Sequence, residues 1–267
     1  MQALPVLAVV VAVAIVGTGI WWGHRQVTAS GHFAVKAIAV YGTSALSQER
    51  VRGLVNQAHP DAEVIGSNLF SLDLAAARAA VEAEPRVASA SVRRRLPDTV
   101  VVEIEEHQPA IVVEMDGLYL ADAEGHVFAR ALTERGDGAG LPVITGITRD
   151  AYAADPELAE MAIRRGLEAA ALYQAQPSQD GPSRPALGEV HVDPRRGITF
   201  FTYDTAVAVR VGHGSADMLR ARLSAFDLAW QALSADERSR VRIAYADAHG
   251  HPDRVTMGFA AEVEQSR

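Results

Sequence analysis

Hydrophobic and polar positions divide the chain into three stretches of different period. From Ala3 to Gly23 no residue is charged, and Val6–Ile20 is nearly all Val, Ala and Ile. A helix of about 20 apolar residues, rising ~1.5 Å per residue, spans a hydrocarbon core of roughly 30 Å. The pattern predicts a transmembrane helix over residues 4–23, after a short tail (1–3) and before a linker (24–31). Trp21 and Trp22 stand where an aromatic belt would lie, with His24 and Arg25 just beyond. A cleaved signal peptide is the alternative. It would carry a basic start, a shorter apolar core and a small-x-small site; no basic residue precedes Ala3 and the run ends in Trp-Trp, which favours an uncleaved anchor. Arg25 and Lys36 follow the span and no basic residue precedes Leu4, so flanking charge taken alone places the body in the cytoplasm. So short a tail also leads us to expect a basic extension ahead of Met1.

The second stretch, residues 32–108, switches between strand and helix periods. His32–Tyr41 reads as a strand. Ser47 then caps a helix with Val51, Leu54 and Val55 at helical spacing. After the turn-rich Gly66-Ser67-Asn68, Leu69, Phe70, Leu72 and Leu74 lead into an Ala-rich helix that stops before Pro85. Val87–Arg95 and Thr99–Glu106 form a hairpin around Pro97-Asp98, giving the order β-α-α-β-β. Ala88, Ala90 and Val92 share one face, as do Val100, Val102 and Ile104, so even positions pair with even ones across an odd-numbered turn. A register near 93 opposite 103 then sets Arg93 and Arg95 beside Glu103 and Glu105 on the solvent face. The run Arg93, Arg94, Arg95 reads as a charge-paired strand, with a partner-binding face as the alternative.

The third stretch, residues 109–262, predicts short, mostly antiparallel strands with two helices, before a polar tail (263–267). Ala110–Glu114 and Leu118–Ala121 flank Asp116-Gly117, and Asp122-Ala-Glu-Gly125 turns into His126–Ala129. Thr133–Gly140 is a loop and Leu141–Gly146 a strand. Pro156–Gln176 is a helix with Leu158, Met161, Ile163, Leu167, Ala170 and Ala171 on its apolar side, closed by the breaker stretch Pro177–Pro185. Strands follow at Leu187–Val192, Ile198–Tyr203 and Ala206–Val211, then a helix over Ala216–Leu233 capped by Ser215, and final strands at Val241–Ala246 and Arg254–Ala260. The fold class is α+β.

Composition narrows what this architecture can do. Of 267 residues, 49% are hydrophobic and 22% charged, and 25 basic against 33 acidic residues leave a net charge of −8, which argues against general binding of nucleic-acid phosphates. The absence of Cys rules out disulfides and thiolate chemistry. All basic residues but Lys36 are Arg, a usage that points to a GC-rich genome more than to guanidinium chemistry. Asp122, Glu124 and His126 could serve acid–base catalysis, but Asp-Ala-Glu-Gly is also an ordinary turn with Gly125 at positive φ, the reading preferred here. His249 and His251 lack a third ligand at metal-binding spacing, and His213, between two glycines, reads as a loop residue. Nucleotide-binding loops and nucleophile elbows are missing, so no catalysis, cofactor or metal is expected.

One anchor, a β-α-α-β-β unit and a second mixed domain in this order resemble the bacterial cell-division family FtsQ/DivIB. The stretch Val87–Pro109, with its Arg93-Arg-Arg-Leu-Pro-Asp turn and alternating Val100, Val102, Ile104, is similar to that family's hairpin, and the unit that holds it looks like a POTRA domain. Asp122–Gly125 and Leu141–Gly146 match the turn and strand that follow. Departures are Leu96 where the family usually has Trp, Tyr245-Ala-Asp247-Ala-His-Gly250 in place of a Tyr-Val-Asp-Leu-Arg-Tyr-like strand, and the missing basic cytoplasmic tail. The resemblance implies a single-pass inner-membrane protein at the septum, with a periplasmic body that recruits and holds the division partners FtsB and FtsL. It also implies that the last strand of the second domain takes the partner by strand addition, here Arg254, Val255, Thr256, Met257, Gly258 and Phe259, with Tyr245 and Asp247 alongside. Two other classes are weighed against it. A POTRA protein of an outer-membrane assembly or secretion system would carry tandem repeats or a barrel, and an anchored envelope hydrolase would need a nucleophile–base pair.

Overall fold

The computed structural model describes residues 13–19, 21–23, 31–60, 63–175, 182–248, 251 and 253–260. Residues 13–19 and 21–23 are helical, with the Thr18 hydroxyl donating to the Ala14 carbonyl at 2.6 Å. Most of the expected span and linker lies outside the described residues, as do the tails 1–3 and 263–267. Among the described residues no helix is long and apolar enough to cross a membrane. The chain divides into two compact units, Met1–His107 and Gln108–Arg267.

The first unit is a three-stranded sheet, β1 (Ala37–Tyr41), β2 (Val87–Arg95) and β3 (Thr99–Glu106), in the order β1-β3-β2, with β1 parallel to β3. Helices α1 (Gln48–Gln57) and α2 (Leu74–Glu82) bury Val51, Leu54, Val55, Ala77 and Val81 with Ile38, Val40, Val100 and Val102 of the sheet. Both helices start on side-chain caps: Ser47 accepts the Arg50 amide, and Asp73 the amides of Ala75 and Ala76. The first strand begins at Ala37 and not at His32. Gly31–Phe33 forms a 3₁₀ turn, and Ala34 and Val35 pair with the 66–69 loop instead of with the sheet. The Val35 amide reaches the Ser67 carbonyl at 2.9 Å, and the Leu69 amide the Phe33 carbonyl at 2.8 Å.

The β2–β3 hairpin has the expected parity but a register two residues away. Val92 faces Val102, Arg93 faces Val101 and Arg95 faces Thr99, so Leu96, Pro97 and Asp98 make the turn. A register shift between Val87 and Ser89 exchanges the inward position as well: Val87 is buried and Ala88 exposed.

The second unit is a nine-stranded sheet of β4 (Ile111–Glu114), β5 (Leu118–Ala121), β6 (Val127–Arg130), β7 (Val143–Thr145), β8 (Leu187–Asp193), β9 (Gly197–Thr202), β10 (Ala208–Gly212), β11 (Val241–Tyr245) and β12 (Thr256–Phe259). Their order is β12-β11-β10-β9-β8-β7-β4-β5-β6. Five neighbouring pairs are antiparallel (β12–β11, β10–β9, β9–β8, β4–β5, β5–β6) and three parallel, so the sheet is mixed and mainly antiparallel. The core joins Ile144, Val190, Ile198, Phe200 and Val209 of the sheet to Ile163, Tyr173, Leu223 and Phe226 of two long helices.

Among its described residues this unit holds four α-helices, two more than the pattern predicts: α3 (Arg149–Ala154), α4 (Pro156–Gln174), α5 (Ala216–Ala232) and α6 (Ala235–Arg240). The short ones are made by their caps. Thr148 accepts the Ala151 amide to start α3, and Ser234 and Glu237 form a reciprocal capping box on α6. The apolar face of α4 also differs. Ala159, Ile163, Gly166, Ala169, Ala170 and Tyr173 are buried, whereas Leu158 and Met161 are 61% and 56% exposed. Helix and sheet approach so closely that a Cβ at Gly166 would lie 2.7 Å from Ile144 Cδ1, so that position has no room for a side chain, while Ile163 and Tyr173 fill the inner face elsewhere along the helix.

Candidate partner-binding edge

β12 is the last strand of the nine-stranded sheet, and among the described residues it pairs on one side only, with β11. The residues expected to bind a partner occupy this edge unevenly. Val255 and Met257 are half-buried against the core, while Arg254 and Thr256 are exposed. Phe259 does not continue the inward row of Val255 and Met257. A register shift between Val241 and Ile243 turns it outward, and it is 42% exposed. Gly258 lies against β11 so tightly that a Cβ there would come within 2.8 Å of Ile243 Cγ2, so only Gly fits that spot without displacing Ile243.

Ladder alternation sets which edge amides are open. The Ala246 amide donates to the Arg210 carbonyl at 2.9 Å across the parallel β10–β11 pair. Ala244 and Ala246 therefore turn their backbone groups toward β10, and Ile243 and Tyr245 turn theirs toward β12. In the observed register those two face Gly258 and Thr256. Thr256 and Gly258 are thus bonded inward, and the N–H and C=O of Met257 point to the open edge.

Tyr245 stands beside Thr256 and is 40% exposed, so it belongs to the same surface. Asp247 is already engaged: its carboxylate pairs with Arg210 Nε at 2.8 Å. Asp247 also packs against Gly212, which has a φ of 67° and where a Cβ would lie 2.9 Å from Asp247 Cβ, so no side chain has room there.

The arginine run on β2, also an edge strand, splits into three tasks. Arg93 pairs with Glu103. Arg94 donates from Nε to the Leu69 carbonyl at 2.8 Å and from Nη2 to the Leu72 carbonyl at 2.7 Å, holding the loop before α2. Arg95 is exposed.

The acid–base candidates form a turn. Asp122 accepts the amides of Glu124 and His126 at 3.2 and 2.9 Å, Gly125 has φ 85°, and His126 Nδ1 lies 3.1 Å from Glu160 Oε1. The Tyr152 hydroxyl donates to that same carboxylate oxygen, and burial together with the Glu160 charge raises its pKa. His249 lies outside the described residues, and His251 is exposed. Among the described residues no three His, Asp or Glu side chains are grouped to hold a metal. His213 lines a groove beside α4 that the sequence did not disclose.

Comparison with known proteins agrees with this architecture. A family model for the POTRA domain, FtsQ-type, matches residues 33–107, and one for the cell division protein FtsQ/DivIB, C-terminal, matches residues 110–249. The chain is 37% identical over 195 residues to the cell division protein FtsQ of Anaeromyxobacter sp. (strain K), a match covering 73% of this chain and 63% of that relative, less than two thirds of its length. It is 33% identical over 212 residues to FtsQ of Syntrophotalea carbinolica (79% of this chain, 69% of the relative), and 29% identical over 257 residues to FtsQ of Neisseria meningitidis serogroup B (96% and 93%). A POTRA domain followed by one large mixed sheet defines a class of cell-division protein. The chain belongs to the FtsQ/DivIB family.

Proposed function

We propose that the chain is a single-pass division scaffold of the inner membrane, with its body in the periplasm, which recruits and holds FtsB/FtsL-type partners at the septum. It acts by binding and not by catalysis. The observation that carries this reading is the terminal position of β12, whose Met257 amide and carbonyl face no strand among the described residues. An added strand gains main-chain hydrogen bonds along such an edge, and exposed Thr256, Phe259 and Tyr245 give side-chain selectivity beside it. The uncharged run from Ala3 to Gly23 supports the anchor, and with it the family likeness outweighs the flanking charge count for orientation. The POTRA face around Arg95 is the reading for any further division partner.

Tagged full-length chain, extracted from membranes after mild crosslinking, should co-purify with FtsB- and FtsL-type proteins. If both are missing from a preparation in which the chain is intact and membrane-bound, the scaffold reading fails.

A further inference from the structure

Strand addition would use the sheet edge; a groove on the helix-covered side, at β8 and four strands from β12, is left unused. It is a cleft of about 300 Å³ beside α4, walled by Ile147, Leu158, Met161, Ala162, Val192 and Ile198. Leu158, Met161, Ala162 and Arg165 fall at i, i+3, i+4 and i+7 of α4 and make one stripe along it. Two large apolar side chains more than half exposed at the mouth of an apolar cleft form a contiguous patch.

Charge around the mouth selects the occupant. Arg165 lies in the lining and reaches the Gly214 carbonyl at 3.3 Å, and Arg195 and Arg196 are exposed on the β8–β9 turn that supplies Asp193 and Pro194 to the wall. None of the three has a carboxylate within ion-pair distance among the described residues. The two acids of the lining accept backbone amides: Asp155 accepts that of Leu158 at 3.0 Å, and Asp193 those of Arg195 and Arg196 at 2.7 and 2.9 Å while it also feels the Arg196 charge from beyond ion-pair distance. His213 completes the wall. β8, β9 and β10 are interior strands, so the groove offers no sheet edge, and whatever docks must be read through side chains. The geometry points to a second docking site, for an amphipathic partner helix that seats a large apolar side chain against Leu158 and Met161 and sets carboxylates beside Arg165, Arg195 and Arg196.

The chain has five methionines, Met1, Met115, Met161, Met218 and Met257, so ¹³C-methyl methionine labelling of the full chain in phosphatidylcholine nanodiscs reads the groove directly. The probes are a designed helical peptide with a leucine stripe flanked by Glu and its counterpart with Lys. The acidic peptide should shift Met161 and leave buried Met115 and the β12 residue Met257 in place. Arg195→Glu with Arg196→Glu should weaken it roughly tenfold, as loss of two partly exposed ion pairs allows. Equal binding of both peptides, a shift at Met257 in place of Met161, or a Met161 shift produced by phosphatidylglycerol nanodiscs with the peptide inert would each overturn the assignment. In cells depleted of the wild type, Met161→Glu should impair septation while FtsB-type capture at β12 persists. Normal septation by that variant also overturns it, and leaves the edge reading untouched.

Discussion

Arg93 and Glu103 form an ion pair across the β2–β3 hairpin without standing opposite each other, since Arg93 faces Val101 and Glu103 faces Ser91. The contact is diagonal, within reach of a long side chain on one face of an antiparallel pair. The two side chains are 54% and 48% exposed, so water and salt screen them. A double-mutant cycle on Arg93 and Glu103 should give a coupling of only ~0.2–1 kcal/mol that shrinks as salt is raised. A coupling above ~2 kcal/mol would place the pair in a desolvated site and contradict the register.

Glu106, at the end of β3, holds the loop ahead of α1. Its carboxylate accepts the amides of Ser44, Ala45 and Leu46 at 2.9, 2.8 and 3.0 Å and the Ser44 hydroxyl at 2.8 Å. Burial pushes its pKa up, but these bonds outweigh burial and leave the pKa below its ordinary value. A folded pKa depressed in this way contributes stability that is fully present above the unfolded value of about 4.3 and is lost as pH falls through the lowered folded value. Glu106→Gln should therefore cost about 1–3 kcal/mol at neutral pH and flatten the acid limb of a denaturant-midpoint profile. An unchanged acid limb would show that the carboxylate is not held this way.

Arg184 closes the second unit where the chain returns from α4 to β8. Its side chain is 2% exposed and bidentate to Asp227 of α5, at 2.5 Å from Nε and 2.7 Å from Nη2, while Nη1 donates to the carbonyls of Leu172 and Tyr173. Removing one partner strands a buried charge, so Asp227→Ala should destabilise the chain by about 3–5 kcal/mol in urea melts. A loss below ~1 kcal/mol would mean that water reaches Arg184 readily.

What the sequence disclosed, and what it concealed, follows from which forces are local. The bounds of β2 and β3 were legible because alternation and Pro97 act within the strand. Parity fixes a register only to the nearest two residues, so the choice between Val101 and Glu103 opposite Arg93 was left to the turn. On α4 the apolar pattern placed Ile163 and Ala170 on the inner face, where they are buried, but it also selected Leu158 and Met161, which are exposed, and the close approach at Gly166 left no mark in it. The groove was hidden by the same misreading. Phe259 breaks the alternation of Val255 and Met257 because of a bulge that lies on β11, which the sequence of β12 does not itself encode. The missed α6 had a visible signal, since Ser234 and Glu237 stand at capping-box spacing.

Orientation is decided by a reporter. Alkaline phosphatase fused after Arg267 should be active if the body is periplasmic. A stable but inactive fusion would favour the flanking charges, Arg25 and Lys36, over the family likeness.

The edge itself is tested by two neighbouring prolines with different consequences. Proline removes a backbone donor and blocks pairing on the side its nitrogen faces. At Thr256 that side is β11, so Thr256→Pro should break a ladder bond within the sheet and lower the melting temperature. At Met257 the nitrogen faces the open edge, so Met257→Pro should keep the ladder and lose mainly the thioether packing. Capture of an FtsB-type partner should then fall most in Met257→Pro, and Met257→Ala, which loses the same packing with the amide intact, should retain it. If Met257→Pro is folded and binds as well as Met257→Ala, the partner does not add a strand at β12.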